Sequence, residues 1–158
     1  MELEEVPFKI LQEITNDFSE ERKLGEGSFG DVYRAVTKNG EDIAVKKLKE
    51  MLFRNDPDQL RNDQEQFRNE FYSLRMLKHK NIVQVLGYCY ETKQIPMELN
   101  GIKVLAEETH RALCLEYLHS GSLKKHLSDE SCGLEWHARY RIIKGICEGL
   151  KYIHEDLE

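Results

Sequence analysis

Three glycines at G-x-G-x-x-G spacing, in Gly25-Glu26-Gly27-Ser28-Phe29-Gly30-Asp31-Val32-Tyr33, constrain this chain more than any other feature. Glycine has no Cβ, so such a loop can bend close around a phosphate with its N–H groups turned inward. What the loop joins decides which fold it serves. A dinucleotide-binding fold needs a buried strand before the loop and a helix after it. Here the charged run Glu20-Glu21-Arg22-Lys23 precedes it, and Asp31-Val32-Tyr33-Arg34-Ala35-Val36 alternates like a strand afterwards. Glu50 stands where the ribose-binding acid of that fold would be, but it follows a lysine-rich stretch rather than ending an apolar strand. The loop is therefore read as joining two strands over a nucleotide, with Phe29 at its tip helping to close it.

The next strand-like run is set off by Asn39-Gly40, a strong hairpin signal. In Ile43-Ala44-Val45-Lys46, alternation puts Ile43 and Val45 on one face and Ala44 with Lys46 on the other. Residues 56–78 have helical periodicity, with Asp56-Pro57-Asp58 as a capped start and Phe67, Phe71, Leu74 and Leu77 as the apolar stripe. Glu70 falls inside that stripe, and a carboxylate in apolar company needs a cation. Lys46 is the economical partner, because the pair would fix its ammonium as a point charge for phosphates. The blander reading makes Lys46 a surface lysine and Glu70 a stripe-edge residue reaching water.

Elsewhere the patterning is coarser. Residues 8–14 form a short amphipathic helix ended by Thr15-Asn16-Asp17. Residues 82–90 and 112–118 are two strands, separated by a polar insert over 91–111 that contains Pro96 and Asn100-Gly101, within which Ile102-Lys103-Val104-Leu105 can add a short strand. Helices follow over 122–127 and 136–154. The expected fold class is α+β, a mostly antiparallel sheet with one inserted helix and then two more helices.

These ordered motifs together resemble the N-terminal lobe and first C-lobe helices of a eukaryotic protein kinase. The resemblance implies a leader over 1–20, an N-lobe with the hinge at its end over 21–118, and a partial C-lobe over 119–158. It implies an ATP site formed by Leu24, Gly25, Glu26, Gly27, Ser28, Phe29, Gly30, Val32, Ala44, Lys46, Glu70, Leu115, Glu116, Tyr117 and Leu118. Within that set Val32 and Ala44 cap the adenine, Leu115 is the gatekeeper, and Glu116 to Leu118 form the hinge; Leu74 and Val85 match the N-lobe part of the hydrophobic spine. Leu11-Gln12-Glu13-Ile14-Thr15-Asn16-Asp17-Phe18-Ser19, Leu86-Gly87-Tyr88-Cys89 and Gly149-Leu150-Lys151-Tyr152-Ile153-His154 are more narrowly similar to plant receptor-like serine/threonine kinases.

The departure from that family lies in the chemistry. Phosphoryl transfer in protein kinases uses an Asp to orient the substrate hydroxyl, and an Asn and a second Asp to hold Mg²⁺. The family supplies them beyond residue 158, so no catalytic residue and no metal ligand is assigned. His154-Glu155-Asp156-Leu157 only imitates H-R-D-L, with no Asn downstream. The expectation is a truncated kinase-family chain that binds ATP without transferring phosphate. One alternative is a lobe-sized module that docks on another kinase or receptor through the 136–154 helix; another is an active kinase of which these residues are one half.

Composition excludes other classes. Of 158 residues 40% are hydrophobic and 33% charged, the profile of a globular chain. A formal net charge of −6 argues against nucleic-acid binding, which relies on surplus Lys and Arg. Cys89, Cys114, Cys132 and Cys147 form no C-x-x-C pair, so neither a zinc knuckle nor a redox motif is written. No apolar run reaches bilayer length and the first residues are acidic, so no membrane span is expected and a reducing cytoplasm fits best. The 136–154 helix is apolar over much of its circumference and should leave the chain marginal or sticky.

Overall fold

The computed structural model describes residues 4–53, 57–128 and 134–155. Its packing divides into two units, Met1–Met76 with Gln84–Tyr117, and Leu77–Val83 with Leu118–Glu158.

The first unit is an antiparallel sheet with a helix on each face. Strands β1 (Lys23–Gly27), β2 (Gly30–Val36) and β3 (Asp42–Leu48) run as consecutive hairpins. The second turn is the one Asn39-Gly40 announces: Gly40 takes φ 79° and its N–H donates to the Thr37 carbonyl at 2.9 Å. Strand β3 then pairs with β6 (Ile102–Glu116), whose other edge carries β5 (Val85–Leu99). A three-residue strand β4 (Met51–Phe53), which the patterning does not signal, pairs with residues 107–109 of β6.

The two strands expected over 82–90 and 112–118 are much longer. The polar insert is no loop with one short strand but the outer half of the β5–β6 hairpin, closed at Asn100-Gly101. Both turn residues have positive φ, 50° and 78°, as a tight hairpin of matching twist requires. The register Ile95↔Ala106, Met97↔Val104, Leu99↔Ile102 collects apolar side chains on one face of this arm. Their alternation is diluted in the sequence by the polar residues between them, and Pro96 is tolerated because β5 is an edge strand here.

Helix α1 (Phe8–Thr15) covers one sheet face. Phe8 and Leu11, with Val6 before them, pack on Ala35, Ile43, Val45, Cys89, Ala112 and Cys114. Thr15, fully buried, donates its hydroxyl to the Leu11 carbonyl at 2.6 Å and accepts the Phe18 N–H at 3.1 Å, closing the helix end. Helix α2 (Pro57–Met76) covers the other face, where Phe67 and Phe71 meet Val85, Tyr88 and Tyr90 with Leu48, Leu113 and Leu115 alongside. Asp58 supplies the first-turn acid. The expected cap, Asp56, lies outside the described residues.

In the second unit α4 (Trp136–Glu155) packs Gly145 and Gly149 against Asn81, where an added Cβ would come within 3.3 and 3.5 Å. Lys80 pairs with Glu148 at 2.8 Å, and His79 stacks on Tyr152. Helix α3 (Leu123–Ser128) is short and exposed.

Candidate functional site

The sheet register collects the candidate adenine and phosphate residues. Val32 stands opposite Lys46, Lys46 opposite Leu113, and Ala44 opposite Leu115. Directly opposed residues share a face, so Val32, Ala44, Lys46 and Leu115 line one face, while Ile43 and Val45 join the core under α1. The turn between β1 and β2 closes the edge of that face, with Gly27 opposite Gly30.

The three glycines have different obligations. A Cβ on Gly25 would meet nothing within 4 Å, and one on Gly27 would make an ordinary 3.4 Å contact with the Gly30 carbonyl. Gly30 has φ +150°, and a Cβ there would lie 2.1 Å from the Lys47 carbonyl oxygen and 2.8 Å from Leu48 Cα. The fold therefore requires only the third glycine of the set. Leu24 sits at a register shift between Lys23 and Gly25 and is half-exposed, and the Phe29 side chain is 77% exposed. Glu26 accepts a 3.1 Å bond from Lys23, whose ammonium also meets Asp31 at 3.3 Å and Glu20 at 3.7 Å. The hydrogen bond that Lys23 donates to Glu26, with Asp31 and Glu20 close by, holds the Lys23 ammonium pKa above its ordinary value.

The expected Lys46–Glu70 ion pair does not form. Lys46 is half-buried and pairs with no described carboxylate, whereas Glu70 is exposed and accepts a hydrogen bond from Gln66 Nε2 at 3.3 Å. Glu70 lines an open groove with Gln66, Asn69, Ser73 and Leu74 along the outer side of α2. The physical reason is where α2 is fastened. Phe71, fully buried, lies 4.5 Å from the Tyr88 ring, and Phe67 lies 5.6 Å from Tyr90. A turn earlier, Asp63 accepts from the Tyr90 hydroxyl at 2.7 Å and from Arg111 at 3.3 Å. These contacts fix the helix with Phe67 and Phe71 toward the sheet and Glu70 turned to water. Leu74 is 38% exposed for the same reason, while Val85 is buried.

At the hinge, Gln84 and Glu116 exchange two bonds. Glu116 N–H donates to the Gln84 carbonyl at 3.0 Å, and Glu116 Oε1 accepts the Gln84 N–H at 2.7 Å. The Glu116 amide is thus occupied. The Tyr117 ring lies 5.6 Å from the Arg34 guanidinium, itself bound to Asp42 at 2.9 Å. Leu118 is exposed and belongs to the second unit.

Sequence reasoning missed the Asp63–Tyr90–Arg111 group and the Gln84–Glu116 exchange. Asp63 had a signal available, since it stands four residues before Phe67 on the same helical face. The others depend on pairing across strands. No group of His, Cys, Asp or Glu able to hold a metal ion occurs among the described residues. Asp156 and Leu157 of the H-R-D-L imitation, and Cys132, lie outside them.

In the second unit, Trp136, Tyr140, Ile143, Ile146, Leu150 and Ile153 of α4 are between 42% and 72% exposed. No described helix is long and apolar enough to cross a membrane.

Comparison with known proteins gives this geometry a context. The protein kinase domain family matches residues 18–157. Cysteine-rich receptor-like protein kinase 26 of Arabidopsis thaliana is 38% identical over 151 residues, covering 94% of this chain and 19% of that protein. The L-type lectin-domain containing receptor kinase SIT1 of rice, Oryza sativa subsp. japonica, is 37% identical over 153 residues, covering 96% of this chain and 19% of that protein. Among solved structures, the pseudokinase DRIK1, drought responsive inactive kinase 1, bound to ENMD-2076 is similar with a TM-score of 0.72 and 27% identity, over 97% of this chain and 51% of that one. The chain thus spans about a fifth of these two curated relatives and about half of that solved structure.

Proposed function

This chain belongs to the protein kinase domain family, and from that premise we propose that it binds ATP on the sheet face of Val32, Ala44, Lys46 and Leu115, without transferring the phosphate. The cross-strand register carries the reading, since it puts an ammonium and three apolar residues on one face beside a glycine turn. Adenine would lie against Val32, Ala44 and Leu115, with its polar edge toward the backbone of Glu116 and Tyr117. The backbone N–H groups of Gly25 to Gly30 and the Lys46 ammonium would meet the phosphates. With no described carboxylate holding the Lys46 ammonium in place, binding should be weak. Residues 1–158 contain neither His-Arg-Asp nor Asp-Phe-Gly, so binding should be largely independent of Mg²⁺. The similarity to plant receptor-like kinases supports a serine/threonine-type, cytoplasmic domain.

Titration with a fluorescent ATP analogue tests this. Lys46→Met should weaken binding about tenfold or more, the loss expected when one charged phosphate contact goes. Equal affinity in both proteins would refute the site. Phosphorylation of a generic substrate by residues 1–158 that Lys46→Met abolishes would refute the claim that no transfer occurs.

The exposed face of α4 favours a second reading, a module that docks on another kinase or receptor. Ile143 and Ile146 are 56% and 49% exposed on a helix with an apolar surface. Capture of a defined receptor-like kinase domain, lost on Ile143→Asp or Ile146→Asp, would support it.

A further inference from the structure

Lys23 faces three carboxylates, and a bulge in β1 is what brings them together. In a regular strand, residues three apart point to opposite faces. Between Lys23 and Gly25 the register slips: Lys23 stands opposite Tyr33 and Gly25 opposite Val32, so Leu24 is the extra residue of a bulge. The slip turns Glu26, which stands opposite Asp31, to the same face as Lys23. That face is the α1 side of the sheet, since the Tyr33 ring meets the Phe18 ring edge-on at 5.3 Å and Phe18 packs on the core under α1. Val32, between Asp31 and Tyr33, points the other way, to the face of Ala44 and Lys46.

The Lys23 ammonium gathers Glu26 at 3.1 Å, Asp31 at 3.3 Å and, from the helical turn over Glu20–Arg22, Glu20 at 3.7 Å. Asp31 also accepts from the Tyr33 hydroxyl at 3.5 Å. The Lys23 side chain is largely covered, whereas those of Glu20 and Glu26 are exposed. Glu26 and Asp31 flank the turn from Gly27 to Gly30, one on each strand. Two negative charges therefore stand beside the N–H groups that the proposed site offers to phosphates, and a carboxylate within a Debye length repels an anion.

We infer that Lys23 is a positioning residue for anions at the glycine turn. It draws the carboxylates of Glu26 and Asp31 onto the outer face of the β1–β2 ribbon and offsets their charge, which leaves the opposite face open to a polyphosphate. The consequence for nucleotide rests on the ATP site proposed above; the local potential at the turn does not.

Two nitroxides of equal size, one anionic and one cationic, read that potential with no nucleotide present. In the full chain, the relaxation that each causes at the amide protons of Gly25, Gly27 and Gly30 gives an anion-to-cation ratio. Lys23→Met should lower the ratio about two- to threefold, the effect of removing one unit charge within a Debye length. Lys23→Arg should keep it. Adding Glu26→Gln and Asp31→Asn to Lys23→Met should lift it above the wild-type value, because Glu20 is then the only charge left in the group. Titrations add the functional arm. Lys23→Met should weaken ATP binding about two- to fivefold and leave adenosine, which has no phosphate, unchanged; the triple variant should bind ATP at least as tightly as the wild type. A ratio unchanged in Lys23→Met, or an equal loss of ATP and adenosine affinity as a merely structural role would give, overturns the inference. If no protein binds ATP while the ratio follows the expected order, the ATP site fails and the role of Lys23 stands.

Discussion

Replacing Gly30 by Ala separates a glycine required by the fold from a glycine that the fold would let go. At Gly30 the backbone is at φ +150°, and the new Cβ would lie 2.1 Å from the Lys47 carbonyl oxygen, 2.8 Å from Leu48 Cα and 2.9 Å from the Lys47 carbonyl carbon. All three are backbone atoms of the paired strand β3, so no side chain can swing aside. A residue with a side chain held at such a φ costs about 1–3 kcal/mol, and forcing a methyl group into a filled space costs about 1–3 kcal/mol more. Together they give about 4 kcal/mol, a fall of roughly 8–16 °C in Tm for a chain of this size. Gly25→Ala is the control. Its Cβ meets nothing within 4 Å, and within a strand alanine is favoured over glycine by about 0.5–1 kcal/mol, so its Tm should stay level or rise slightly. Thermal unfolding followed by circular dichroism decides the matter. A Gly30→Ala protein melting within about 2 °C of the wild type, or a Gly25→Ala protein falling as far as Gly30→Ala, would refute the reasoning.

Two further outcomes follow from the packing. Burial pushes the Cys89 and Cys114 thiols up from 9.0 to about 12, so in the native protein at pH 8 both should resist a thiol reagent, whereas the exposed Cys147 should react within minutes. The same shift sets a pH dependence. Unfolded thiols lose their protons near pH 9 and folded ones only near pH 12, so this contribution is intact below pH 9 and is lost as pH climbs from 9 toward 12, by up to about 1.4 kcal/mol per pH unit for each thiol. Denaturant midpoints measured from pH 8 to 10.5 should fall accordingly, and a flat profile would sink the assignment. On α4, Ile143→Glu with Ile146→Glu should reduce self-association measured by light scattering while leaving the unfolding free energy from denaturant titration within about 0.5 kcal/mol. A large loss of stability would mean that this face is already covered.

The arrangement of the candidate site was legible where it is local in sequence. Alternation alone put Ala44 and Lys46 on one side of β3, and the pairing with β6 keeps them there. That the glycine run joins two strands, and that Asn39-Gly40 makes a turn, could be read because each is local to a few residues. Asn100-Gly101 carried the same turn signal, yet the residues around it were read as a mostly polar loop. Their apolar members become a face only once Ile95 meets Ala106 and Leu99 meets Ile102 across the hairpin. The leader gave its helix from its own pattern, but its hold on Tyr88 and Arg75 spans more than seventy residues and leaves no local trace.

The amino-acid order alone determined the strand order around the glycine turn and the face on which Lys46 lies, since both rest on periodicities and spacings within single elements, and the order of its motifs carried the resemblance to the family. Only the tertiary structure decided whether Lys46 meets Glu70. That outcome depends on the rotation and seating of one helix, set by Phe71 against Tyr88, Asp63 against Arg111 and Glu4 against Arg75. A helical stripe defines which residues share a face, but not which distant side chains fix the angle at which that face is presented.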